Sequence, residues 1–74
     1  MSRLPVLTPK KLIKILQDLG FQLDHKTGSH FIFYDPKNKR RATIPFHTKD
    51  LPKGTFISIL KQAGITKEEL ERRL

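Results

Sequence analysis

Three histidines, His25, His30 and His47, are the side chains of this 74-residue chain best suited to proton transfer. The sequence contains no Cys, which excludes a thiol nucleophile, a disulfide scaffold and a cysteine zinc site. An imidazole ordinarily titrates near about pH 6.5 and can act as general acid or base at neutral pH. His30 follows Gly28-Ser29, a pair that lets the backbone turn tightly and sets the imidazole at the mouth of a strand. Two readings stand for it: a catalytic base at the rim of the domain, or a strand histidine that is only packed or hydrogen-bonded. Parity places His30, Ile32 and Tyr34 on one side of that strand. If that side is the core, His30 must lie at its edge to work. His47 follows Pro45-Phe46 and either reaches the same end of the sheet or is an ordinary loop residue. Nothing in the sequence around His25 singles it out. The three intervals match no common ligand pattern, so no metal and no other cofactor is expected. Ser29, adjacent to His30 on an extended chain, points to the opposite side, which argues against a Ser-His-Asp hydrolase.

The charge suggests what such a histidine would act on. Fifteen Lys and Arg face seven Asp and Glu, a formal net charge of +8. The whole excess falls in residues 1–65, where twelve basic residues meet four Asp, while the segment from Thr66 to Leu74 is balanced. An uncompensated excess of this kind suits an anionic partner, nucleic acid or an acidic protein ahead of a membrane surface. The basic residues form three sets: Lys10, Lys11 and Lys14; Lys37, Lys39, Arg40 and Arg41; Lys49 and Lys53. Lys53-Gly54-Thr55 opens a helix, where free N–H groups and the positive dipole end favour a phosphate and Gly54 allows close approach. The plainer alternative is a routine helix start with a solvated lysine. The second set either meets that anionic partner or guards an edge strand against aggregation.

The elements that must position these residues are legible. Thr8-Pro9 forms an N-cap and first helical position, and Gly20 closes the helix. Between them Leu12, Ile13, Ile15, Leu16 and Leu19 share one arc at helical spacing. Three strands are expected: Phe21 to Asp24, His30 to Tyr34, and Arg41 to Phe46 with Ala42, Ile44 and Phe46 on one face. The short turn-rich connections between them predict an antiparallel meander. Phe56, Ile59, Leu60 and Ala63 recur at i, i+3, i+4 and i+7 in a second helix ended by Gly64. Thr66-Lys67-Glu68-Glu69 is a capping box for a last short helix carrying Leu70 and Leu74. The expected class is α+β, α-βββ-α with a short C-terminal helix, a three-stranded antiparallel sheet carrying helices on one face.

Gly28-Ser29-His30, the aromatic strand, Asp35-Pro36, the basic turn, Thr43-Ile44-Pro45-Phe46-His47 and Lys53-Gly54-Thr55 through Ile65 occur together and in this order. In that combination, over about Thr8 to Leu70, the chain resembles the HicA family of toxins. The resemblance implies a double-stranded-RNA-binding-domain-like fold with residues 1–74 as a single HicA-like domain. It also implies an mRNA interferase, a small endoribonuclease that stops translation and is neutralised by a HicB-type antitoxin. By its Gly-Ser-His context the family's catalytic histidine corresponds to His30, with Ser29 and His47 as supporting candidates. The chain departs from the family in carrying Lys26-Thr27 where Arg often stands; the expected RNA or phosphate contacts are Lys26, Lys37, Lys39, Arg40, Arg41, Lys49, Lys53 and Gly54. Two other readings remain open: a non-catalytic RNA-binding module of the same fold, and a protein-interaction domain whose basic face meets an acidic partner.

No segment approaches the roughly 18 apolar residues of a membrane span, the longest apolar run being Phe31 to Tyr34. Met1 to Leu7 is too short and interrupted for a secretory signal. The expectation is a cytoplasmic protein with no membrane partner.

Overall fold

The computed structural model describes residues 6–47 and 49–74. Residues 1–5, most of the stretch read above as too short for a signal, and Thr48 lie outside the described residues. Among the described residues no helix is long and apolar enough to cross a membrane.

Helix α1 spans Pro9–Asp18. Its start is the expected one: Thr8 Oγ1 accepts the Lys11 backbone N–H at 3.3 Å, and Pro9 occupies the first turn, where a missing N–H costs nothing. Leu12, Ile15 and Leu16 are buried, while Ile13 and Leu19, on the margins of the same arc, pack against the core's rim. Gly20 leaves the helix with φ +103°, a conformation that a side chain would strain.

Strands β1 (Gln22–Thr27), β2 (His30–Asp35) and β3 (Arg40–Pro45) pair antiparallel in the order β1-β2-β3, the expected meander. The β1–β2 turn is the two residues Gly28-Ser29, with Gly28 at φ +56° in the first central position, where a type II′ turn wants glycine. The boundaries of β1 differ from the expected Phe21 to Asp24. Phe21 is a core residue ahead of the strand, and pairing runs on through His25, Lys26 and Thr27. All six β1 side chains are exposed. A ladder needs only backbone N–H and C=O groups, so the polar half of β1 pairs without any apolar alternation to reveal it.

β2 and β3 supply the inner face of the sheet through Phe33, Ala42 and Ile44, all buried. Helix α2 (Lys53–Ala63) covers that face with Phe56, Ile59, Leu60 and Ala63 and closes at Gly64, φ +66°. Gln62 Oε1 accepts the Thr43 N–H at 3.2 Å, covering one donor on the outer edge of β3. Helix α3 (Lys67–Arg72) starts at the expected capping box, with Thr66 Oγ1 accepting from Glu69 N at 3.1 Å and Glu69 Oε1 accepting from Thr66 N at 3.3 Å. Leu70 anchors it in the core with no exposed surface, whereas Leu74 stays open to solvent. The architecture is α+β with helices on one face of the sheet, as in a double-stranded-RNA-binding domain.

Asp35 is the buried charged residue among those described. Its carboxylate accepts the Lys37 N–H (3.1 Å), Asn38 Nδ2 (2.9 Å) and Arg40 Nε (3.1 Å), so the middle of the β2–β3 turn and the start of β3 are tied to it. The Asn38 side chain above all, then the Arg40 guanidinium and the backbone N–H groups of Asn38 and Lys37, hold this carboxyl below its ordinary value against the opposing pull of burial. Arg40 continues outward, donating from Nη1 to Gly64 O at 3.3 Å and lying 5.1 Å over the Phe21 ring. One ion pair thus locks the β2–β3 turn to the ends of α1 and α2.

Candidate active site

The pairing register settles which way His30 faces. Phe33 and Asp35 of β2 are buried and Phe31 packs against the core, so the alternate residues His30, Ile32 and Tyr34 lie on the outer, helix-free face. The side shared by His30, Ile32 and Tyr34 is therefore not the core, and His30 is exposed at the first position of β2. Its imidazole has no hydrogen-bond or ion-pair partner among the described residues. His30 stands opposite Thr27 on β1 and Pro45 on β3. Ser29 lies in the turn, its carbonyl accepting the Phe46 N–H at 2.7 Å, which carries the β2–β3 ladder one step beyond the strand. That bond holds the following His47 at the same end of the sheet as His30, exposed and in coil.

The sheet has two unlike ends. At the His30 end lie the Gly28-Ser29 turn, His47 and Lys26, whose ammonium sits 4.9 Å over the Phe31 ring. Phe31 in turn stacks on half-exposed Phe46 at 4.6 Å and 11°, so the cation and both rings lie in one cluster. Because α2 meets Thr43 and Arg40 through its C-terminal residues Gln62 and Gly64, its N-terminus runs back toward this same end. Lys49, Lys53 and Gly54 are exposed there, and the space where a Gly54 side chain would project is open. Pro52 caps α2 without a side-chain hydrogen bond. Leu51, buried just before it, donates its N–H to Leu7 O at 2.8 Å and ties this entry to the start of α1.

The basic turn is at the other end. Tyr34 pairs with Arg41 and Asp35 with Arg40, four and five strand steps or about 13 and 17 Å from His30. Lys37, Lys39, Arg40 and Arg41 are therefore separated from the His30 end along the sheet, which the sequence order alone does not reveal. Arg40 is committed to Asp35 and Gly64, and Arg41 lies 4.9 Å over Tyr34 with Nη1 3.7 Å from Asp24 Oδ2. Lys37 and Lys39 point to solvent.

One constellation escapes sequence reasoning. His25 Nδ1 lies 2.7 Å from Asp24 Oδ2, although adjacent strand residues ordinarily point to opposite faces. The register shifts between Leu23 and His25, so Asp24 is the extra residue of a β-bulge, a device that re-aims side chains. Only an adjacent Asp-His pair in a strand hinted at it. Among the described residues no three His, Asp or Glu side chains gather to hold a metal ion.

A family model described as the HicA toxin of bacterial toxin–antitoxin matches residues 9–65, more than three-quarters of the chain. The chain belongs to the HicA toxin family. The match spans α1, the whole sheet and α2, so it takes in the Gly-Ser-His step, the Pro-x-His segment and the Lys-Gly-Thr helix start together. No curated protein matches the chain. Membership makes this protein the toxin of a toxin–antitoxin pair.

Proposed function

We propose that the protein is a metal-independent endoribonuclease that cleaves mRNA and so inhibits translation. In this reading His30 is its general base and a HicB-type antitoxin, encoded beside it, is its inhibitor. The observation that carries the reading is His30 itself: a solvent-facing imidazole without a partner among the described residues, at the turn end of an open sheet face. Exposed polar side chains on a rigid strand are suited to substrate rather than to packing.

In the proposed reaction the His30 imidazole takes the proton of a ribose 2′-OH. The 2′-oxygen forms a bond to the adjacent phosphorus while the P–O5′ bond breaks, leaving a 2′,3′-cyclic phosphate and, once protonated, a 5′-hydroxyl. A well-placed base supplies about 10²–10⁴-fold. Lys26, which pairs with Phe31 on the helix-bearing face, and Lys49 and Lys53 before and at the start of α2, lie toward the same end and would hold phosphates flanking the scissile one. Lys37, Lys39 and Arg41 extend the positive surface along the sheet and grip more distant phosphates, giving salt-sensitive and loosely sequence-selective binding. Departure of O5′ needs an acid, for which His47, a lysine or water are the candidates that proximity in sequence suggests.

The antitoxin would cover the His30 face and set acidic residues against these cations, which speeds association. The site of action is the cytoplasm, where mRNA is. The test is cleavage of a labelled RNA by the purified protein in EDTA, with and without a 2′-OH at the scissile position, wild type against His30→Ala. Cleavage that yields cyclic phosphate and disappears with either change is expected. A His30→Ala protein that cuts at the wild-type rate and still arrests growth on induction would refute the assignment.

A further inference from the structure

The acid that the cleavage reaction requires has a stronger claimant than His47. Resting on the ribonuclease reading above, we propose that His25 is the general acid, that Asp24 is its positioning residue, and that the scissile phosphate lies between His25 and His30 on the outer sheet face.

Three observations carry this. The first is the register: Thr27 pairs with His30 and His25 with Ile32, so His25 and His30 belong to the same face and are diagonal neighbours across β1 and β2. Such diagonals are about 7–8 Å apart at the backbone, within reach of ring-bearing side chains. Displacement at phosphorus sets the entering 2′-oxygen and the departing 5′-oxygen on opposite sides of it. Each needs its own imidazole within about 2.6–3.2 Å, so the two rings must be separated by a phosphate rather than touch. The diagonal provides that gap, with Ile32, opposite His25 and two residues from His30, flanking it on the apolar side.

The second observation is the carboxylate. Asp24 Oδ2 holds Nδ1 of His25 at 2.7 Å, which fixes Nδ1 as the protonated nitrogen toward Asp24 and turns Nε2 outward. Arg41 approaches the same oxygen to 3.7 Å from β3 while resting on the Tyr34 ring, so Asp24 is itself held in place. A carboxylate that orients an imidazole is what proton transfer by histidine needs. The third is the bulge. Without the extra residue at Asp24 the carboxylate and the imidazole would face opposite sides of the sheet. His47, by contrast, lies in coil, and its ring has no partner among the described residues.

The completed step balances. His30 removes the 2′-OH proton, the 2′-oxygen bonds to phosphorus, the P–O5′ bond breaks with its electron pair on O5′, and the Nε2–H of the His25 imidazolium passes to O5′. His30 ends protonated and His25 neutral, and exchange with water resets both.

The test compares two short RNAs, one ordinary and one in which sulfur replaces the bridging 5′-oxygen. Thiolate leaves without a proton, so the second RNA does not need an acid. His25→Ala and His25→Gln are expected to cut the ordinary RNA about 10²–10⁴-fold more slowly. Both should cut the sulfur RNA within a few-fold of wild type. Asp24→Asn should show a smaller loss, again recovered on sulfur, and His30→Ala should fail on both RNAs. His25 is half-exposed, and Gln keeps an amide to meet Asp24, so the fold is preserved in at least one of the two variants. Wild-type rates for the His25 variants on ordinary RNA, or an equal loss on both RNAs, would overturn the assignment. A wild-type protein that cuts neither RNA would instead overturn the ribonuclease reading, and the assignment with it.

Discussion

Truncating Leu70 to alanine tests how α3 is held and whether the candidate site is independent of it. Leu70 has no exposed surface and is the buried residue of a six-residue helix. A helix that short has no stability of its own, so this side chain is what docks it. Leu→Ala at a fully buried site costs about 3–5 kcal/mol, the lost transfer energy plus a cavity. At about 0.05–0.15 kcal/mol per residue a chain of this length is stable by roughly 4–11 kcal/mol, so the variant gives up roughly a quarter or more. With about 4–8 °C per kcal/mol for a domain of this size, the thermal midpoint should fall by at least about 10 °C. The control is Leu74→Ala, at an exposed position, where a change within about 0.5 kcal/mol is expected. Thermal melts followed by circular dichroism read both. α3 follows the C-terminal end of α2 and lies beside Leu19 near the end of α1, away from the turn that carries His30. Folded Leu70→Ala protein at 25 °C should therefore retain whatever RNA cleavage the wild type has. A midpoint shift under about 4 °C would mean that Leu70 is not seated in the core. A tenfold loss of cleavage in protein that is still folded would mean that α3 supports the site after all.

Two further outcomes follow from the turn and the caps. Asp35 is held below its ordinary value of 3.8, so between that value and its lower native one the unfolded chain binds the extra proton. Its contribution is then complete above the ordinary carboxylate range and is lost as pH falls through the native value. Melts from pH 6 to pH 2 should show an acid limb that flattens in Asp35→Asn, and an unchanged limb would assign acid sensitivity elsewhere. Gly28 and Gly64 both have positive φ, but a side chain at Gly28 meets open space while one at Gly64 comes within 3.3 Å of Arg40 Cδ. Gly28→Ala should cost about 1 kcal/mol of backbone strain, and Gly64→Ala more, because it also presses on the Asp35–Arg40 lock. Equal denaturation midpoints for the two variants would contradict this.

Much of the architecture was legible because it rests on local chemistry. Thr8-Pro9, the Thr66–Glu69 capping box and the glycines at 20 and 64 act through groups within four residues of themselves, so the sequence places them unaided. The apolar arcs of α1 and α2 are likewise periodic and uninterrupted. β1 was harder, since its paired but polar half, His25 to Thr27, leaves no apolar period to read. His30 was marked by its Gly28-Ser29 context, yet its parity with Ile32 and Tyr34 left the core side and the solvent side undecided. That choice was made by Phe33, Ala42 and Ile44 taking the helices onto the opposite face.

The chain's own order thus dictated the elements, the tight turn before His30, the histidine and its family, because each depends on neighbours along the backbone. Spatial relations across strands needed the folded sheet. Register alone put the Lys37–Arg41 turn about 13 to 17 Å from His30 rather than beside it. A single inserted residue, Asp24, brought a carboxylate to the face where register already sets His25 beside His30, and pairing between strands is the one level at which a bulge exists.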